Sequence, residues 1–262
     1  MDVLKRNNVR VTGEGTRPML FAHGFGCDQN MWRFVAPAFE ATHRVIRFDY
    51  VGSGRSDASA WSKARYGSLQ GYASDVLDIC HALHLEDVVF VGHSVSAMIG
   101  VLAAVREPSL FGKMVMIGPS PRYLNDEGYT GGFGRADIDG LLESLEANYL
   151  GWSNAMAPVI MGRPDRPELG RELANSFCQM DPEIARQWAH VTFLSDNRAD
   201  LPKVRTRSLV MQCADDVIAP RAVGEYVKAH LPDSELTFLK ATGHCPNLSA
   251  PEETIAAMKA FV

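Results

Sequence analysis

No stretch of this 262-residue chain approaches the ~18 consecutive apolar residues needed to cross a bilayer, and the opening run Met1-Asp-Val-Leu-Lys-Arg-Asn-Asn8 has no apolar signal core. A membrane span and secretion are therefore not expected, and a cytoplasmic location is. Basic charge is also scarce, with 26 Lys and Arg against 31 Asp and Glu, a net charge of −5. That balance supplies no positive footprint for nucleic acid or an anionic membrane surface. Cysteines are few and scattered: Cys27, Cys80, Cys178, Cys213 and Cys245 form an odd set without a Cys-x-x-Cys pair. Zinc and dithiol redox sites are not indicated, and reduced thiols are the simplest reading. Internal repeats and low-complexity tracts are missing as well.

What is present is a chain rich enough in apolar residues, at 46%, to bury a sizeable core. Apolar strand candidates alternate with helical segments over Val9 to Val11, Met19 to Ala22, Arg44 to Asp49, Val88 to Val91 and Lys113 to Ile117. This is the βαβ rhythm of a mostly parallel sheet. The rhythm stops from Arg122 to about Asp200, where helical segments follow one another, and resumes at Ser208. The expected organisation is a core of residues 1–121 and 201–262, with a helical lid over 122–200 inserted after strand 6.

The most informative segment is Val88 to Ala97, Val-Val-Phe-Val-Gly-His-Ser-Val-Ser-Ala. A buried strand enters a tight turn carrying a serine and leaves into a helix, the pattern of a nucleophile elbow in an α/β-hydrolase fold. Such a turn projects Oγ of Ser94 into a cleft and aims the Val95 N–H the same way. The usual second glycine is here Ser96, which demands extra room between helix and strand.

A serine is a weak nucleophile and needs a base with an orienting acid, in the order Ser, Asp, His in this fold. Asp216, four residues before Pro220 in the loop leaving Ser208 to Cys213, is the acid of choice over Asp215. His244, in the break after Glu235 to Lys240, is the base. His93 is expected to pack beside the nucleophile rather than act as its base. After Met19 to Ala22, the turn His23-Gly24-Phe25-Gly26 is expected to offer the Phe25 N–H as the second oxyanion donor beside Val95. No cofactor or metal is called for, since His244 has no neighbours at zinc-ligand spacing.

Large apolar side chains in the lid, Tyr123, Phe133, Leu142, Trp152, Met156, Ile160, Phe177 and Phe193, are candidates for a pocket wall, with Val217 beside the acid. About half are expected to face a ligand, the rest to pack the lid itself. The cavity is expected to be small, apolar and partly aromatic, suited to a neutral compact ligand.

Phe90 to Gly100, Pro121-Arg-Tyr-Leu-Asn-Asp126, Gly131-Gly132-Phe133, Asn148-Tyr149 and Trp152 together resemble the small α/β-hydrolases of the RsbQ type. These comprise a bacterial energy-stress regulator and its relatives, the plant karrikin and strigolactone receptors. Gly24-Phe-Gly-Cys-Asp28, Phe48 to Gly54, Gln212 to Asp216 and Gly243-His-Cys-Pro246 support the likeness and lean bacterial.

The resemblance implies a mostly parallel eight-stranded sheet, a four-helix lid over a hydrophobic pocket, and the same triad and oxyanion pair. It leaves two roles open: a serine carboxylesterase or lactonase acting on small hydrophobic esters, or a slow-turnover sensor whose lid docks a partner such as a PAS-domain-linked phosphatase in stress signalling. A haloperoxidase-like activity would share the triad. An epoxide hydrolase or dehalogenase is disfavoured, because those enzymes use an aspartate where this chain has Ser94.

Overall fold

The computed structural model describes residues 2–262. Seven strands, β1 (Arg10–Thr12), β2 (Arg17–Ala22), β3 (His43–Arg47), β4 (Val88–His93), β5 (Phe111–Ile117), β6 (Arg207–Asp215) and β7 (Ser234–Thr242), form one sheet in the order β1-β3-β2-β4-β5-β6-β7. β1 runs antiparallel to β3, and every other pairing is parallel. The helices are α1 (Val3–Arg6), α2 (Lys63–Tyr66), α3 (Leu69–Ala82), α4 (Val95–Arg106), α5 (Arg135–Ala147), α6 (Tyr149–Met161), α7 (Pro167–Cys178), α8 (Pro182–Phe193), α9 (Arg221–His230), α10 (Pro246–Ser249) and α11 (Pro251–Phe261).

All seven strand candidates of the sequence are present, but the expected eighth is not found among the described residues. Ahead of β1 the chain winds into α1, capped by the Asp2 carboxylate, which accepts from the Leu4 N–H at 2.9 Å. The four helices α5 to α8 accordingly follow the fifth strand, β5, rather than a sixth.

Every residue of β4 is buried, as a strand with neighbours on both edges and helices on both faces must be. α4 is buried from Val95 to Ala104 and is apolar nearly all round, which marks a central helix rather than a surface one. The chain steps from β2 out to β3 and then returns to place β4 on the other side of β2. At that reversal the loops leaving β2 and β4 diverge and open a crevice at the carboxyl ends of the strands. Ala22 and Gly92 are register partners there, so the loop carrying Phe25 starts beside the turn carrying Ser94.

The close approach of α4 to β4 falls on Gly92. A Cβ at that position would lie 2.6 Å from the Ser96 carbonyl oxygen and 2.8 Å from the Phe90 ring. Ser96 is tolerated where a glycine is usual because its side chain is fully used: the hydroxyl donates to the His23 carbonyl and lies 3.1 Å from the Tyr50 hydroxyl. Gly92→Ala is therefore expected to cost about 2 kcal/mol or more, since a backbone oxygen cannot swing aside. Gly140→Ala on α5, where a Cβ meets nothing within 4 Å, is expected to be neutral or to stabilise by about 0.5 kcal/mol. Thermal unfolding of the two variants beside the parent checks the contrast.

Candidate active site

Ser94 closes β4 with φ 58° and ψ −126°, a conformation that ordinary L-residues avoid. Its N–H donates to the Ile117 carbonyl at 2.8 Å and its carbonyl accepts from the Ala97 N–H at 2.9 Å, so both sides of the turn are held by backbone bonds. Strain of this kind persists only where the surroundings over-determine it.

The loops after β6 and β7 bring the other two side chains in. His244 Nε2 lies 2.7 Å from Ser94 Oγ, and its Nδ1 lies 2.7 Å from Asp216 Oδ2. All three groups are buried, with exposures of 6%, 4% and 6% for Ser94, His244 and Asp216. Burial alone would raise the Asp216 carboxyl. The His244 contact and the N–H bonds from Ile218 and Ala219 to Oδ1 outweigh it and hold the group below the usual carboxylate range. Asp216 is thus an anion fixed on both oxygens, Oδ2 facing His244 and Oδ1 tied to its own loop. Asp215 has no such contact with the imidazole.

The Phe25 loop abuts the turn directly, since a Cβ on Gly24 would meet His93 Nδ1 at 2.6 Å and Ser94 Cβ at 3.3 Å. Among the described residues, neither the Phe25 nor the Val95 N–H donates to another protein group. His93 does pack beside the serine. Its Nε2 lies 2.7 Å from the His244 carbonyl, which can only accept, so Nε2 carries the proton and Nδ1 is left without a donor. One imidazole therefore touches the serine turn, the Phe25 loop and the His244 loop.

A cavity of about 40 Å³ opens above Ser94 and His244. From the sequence candidates it gathers Phe25, Tyr123, Trp152, Ile160, Phe177 and Phe193. Phe25 lies at the centre of an aromatic cage, with ring centroids 5.9 Å from Phe177, 6.2 Å from Trp152 and 6.2 Å from Phe193.

Four candidates do not reach the cavity. Leu142 is buried on α5, which packs against α6 and α8 and so stands one layer back. Phe133 and Met156 are partly buried and pack against the core. Val217 is 51% exposed, and its neighbour Ile218, at 5%, lines the wall instead. Cys27, Leu173, Thr192 and Cys245 also line it without having been singled out. Cys245 and Ile218 had a usable signal, lying one and two residues beyond His244 and Asp216. Leu173 also had one, four residues before Phe177 on the single buried face of α7, whereas Thr192 shares the buried face of α8 but is polar, so apolar spacing passes over it.

A buried Ser-His-Asp relay at the carboxyl end of a parallel sheet, under a helical insertion, is the architecture of an α/β-type hydrolase. The chain belongs to the alpha/beta hydrolase family, which matches residues 19–257. Relatives include a strigolactone esterase of Arabidopsis thaliana, 41% identical over 96% of this chain and 94% of that protein. A Karrikin insensitive 2 receptor of Petunia hybrida is 36% identical over 98% of this chain and 95% of its own. Among solved structures, a hydrolase from Oleispira antarctica superposes with a TM-score of 0.97 at 44% identity, covering 99% of this chain and 96% of that one.

Two buried histidines near the site are neutral. Burial pushes His93 down to about 3 and also lowers His23, whose Nδ1–H donates to the Gly24 carbonyl while Nε2 accepts from the Tyr50 N–H. In the unfolded chain each would take up a proton near pH 6.5. The unfolded state therefore binds more protons, for His93 between about pH 3 and 6.5, and stability falls as pH drops through that window. Going from pH 7 to pH 5 is expected to cost about 2 kcal/mol for His93, with His23 adding in the same direction. His93→Gln, which keeps a donor for the His244 carbonyl, is expected to lose one share of this dependence. Urea unfolding at the two pH values measures it.

Proposed function

We propose that this protein is a serine hydrolase acting on small hydrophobic esters or lactones, with Ser94, His244 and Asp216 as its triad. The observation that carries the reading is the pair of 2.7 Å contacts linking Oγ to the imidazole and the imidazole to a buried carboxylate beneath an apolar cavity. His244 Nε2 accepts the Ser94 proton as Oγ attacks the carbonyl carbon. Asp216 accepts the Nδ1–H hydrogen bond and stabilises the imidazolium that forms. The Phe25 and Val95 N–H groups stabilise the oxyanion. Collapse expels the alcohol, protonated by His244, and leaves an acyl group on Ser94. Water, deprotonated by His244, then releases the acid.

Helices α5 to α8 act as the lid of this site and limit the acyl group, since 40 Å³ holds only a few heavy atoms. The strigolactone esterase name borne by a relative at 41% identity supports ester chemistry. The five unpaired cysteines fit a cytoplasmic location.

A second reading, that of an RsbQ-like sensor, is favoured by Leu150 and Val159 on the outer face of α6, which are 55% and 49% exposed. Relatives named as receptors support it. On this reading, hydrolysis is slow and sets the lid for a PAS-domain-linked phosphatase.

Ser94→Ala is expected to lose about 10⁴-fold or more in kcat on p-nitrophenyl acetate and to form no acyl adduct by intact mass. A folded wild-type protein with neither turnover nor adduct would overturn the hydrolase reading. Turnover that is Ser94-dependent but completes only a few cycles per hour would favour the sensor. Across p-nitrophenyl esters, kcat/KM is expected to fall steeply from acetate to hexanoate. Phe177→Ala is expected to recover the longer chains by roughly tenfold, as a pocket enlarged by a ring should.

A further inference from the structure

Cys27 borders the Ser94 cavity, whereas the three residues after it, Asp28, Gln29 and Asn30, border a separate polar cavity of about 530 Å³. Three arginines line this second cavity, Arg47 half-buried and Arg10 and Arg55 exposed at its mouth. Arg10 on the edge strand β1 and Arg47 on β3 are direct register partners. Like charges placed opposite each other across two strands are unfavourable.

Among the described residues, ten of the nineteen arginines have a carboxylate within ion-pair distance, and three of the nine that do not are gathered at this one cavity. The two carboxylates at the cavity accept from amides, Asp49 on both oxygens and Asp28 on Oδ1 alone. Asp49 accepts from the Gln29 and Arg55 N–H groups and from Asn8 Nδ2, and Asp28 from the Asn30 N–H. The Arg47 Nε–H is buried without an acceptor, and Gln29, 7% exposed, has an Oε1 without a donor.

We propose that this cavity binds a small multivalent anion through Arg10, Arg47 and Arg55, the anionic groups being phosphate or carboxylate. Oxygen pairs of either kind match the guanidinium fork, offset the Arg10–Arg47 repulsion and supply the missing acceptors. A hydroxyl or protonated oxygen on the same ligand would satisfy Gln29.

Isothermal titration at low ionic strength, with inorganic pyrophosphate and with citrate as probes, tests this and separates the two chemistries by which binds more tightly. Saturable binding is expected with at least one probe, weakening as salt is raised. Arg10→Gln and Arg47→Gln are each expected to lower affinity roughly tenfold, while Arg205→Gln, an exposed arginine elsewhere, leaves it unchanged. Each cavity variant removes one of two repelling charges, so its melting temperature at low salt is expected to hold or rise, which keeps misfolding distinguishable from lost binding. Absence of saturable binding to the folded wild type with both probes, or equal affinity in the Arg10→Gln/Arg47→Gln double variant, would overturn the proposal. Arg10 would then serve only to keep the exposed edge of β1 from pairing with another chain.

Discussion

The structure depends on one backbone constraint, the positive φ of Ser94 at the end of β4. Holding a non-glycine residue there costs about 1–3 kcal/mol, which the surrounding packing must offset. The means are visible: the Ile117 carbonyl pins the Ser94 N–H, and Gly92 lets α4 sit against the strand. A fully buried β4 and a nearly fully buried α4 then leave the turn no other conformation. Even the serine at position 96 contributes, because its hydroxyl ties α4 to the loop that carries Phe25. The sheet fixes one strained residue, and the turn it makes aims Ser94 Oγ at the His244 imidazole.

The insertion is not an independent cap. The His244 N–H donates to the Ile160 carbonyl at 2.8 Å, and Thr242 Oγ1 donates to the Gly162 carbonyl at 3.0 Å. Gly243 passes so close that a Cβ would lie 1.9 Å from the Met161 carbonyl oxygen. The end of α6 therefore buttresses the backbone of the imidazole whose ring must face Ser94. A displacement of α6 large enough to widen the cavity would disturb the same bonds. Cavity size and imidazole position are consequently linked through a few backbone contacts, which is a physical route by which ligand fit and chemistry influence each other.

Much of this was legible in the sequence because it is encoded locally. Each strand is a short apolar run with a breaker behind it, and Ser94, Asp216 and His244 each stand immediately after one. The eighth strand came from the family likeness, whereas the residues themselves mark seven, the number the sheet holds among the described residues. The pocket wall was legible only in part, since apolar spacing says that a helix has a buried face but not whether another helix or a cavity meets it. Leu142 and Trp152 look alike by that measure, yet α5 stands behind α6 and only Trp152 reaches the ligand space. The arginine cavity left no linear signal, because Arg10 and Arg47 are brought opposite each other only by strand register.

The same apolar enclosure bears on which atom reacts. Cys27 and Cys245 line the cavity beside Ser94, and a thiolate would be the better nucleophile. Burial pushes both thiols well up, and in each case neighbouring acidic groups push further. Both stay protonated and behave as small apolar side chains. Ser94 meets the same burial with a different outcome, because its proton has an acceptor in place at 2.7 Å and the resulting imidazolium has Asp216 behind it. On the mechanism proposed above, in so apolar a site geometry relative to the base outweighs intrinsic acidity, which favours the hydroxyl over the two thiols.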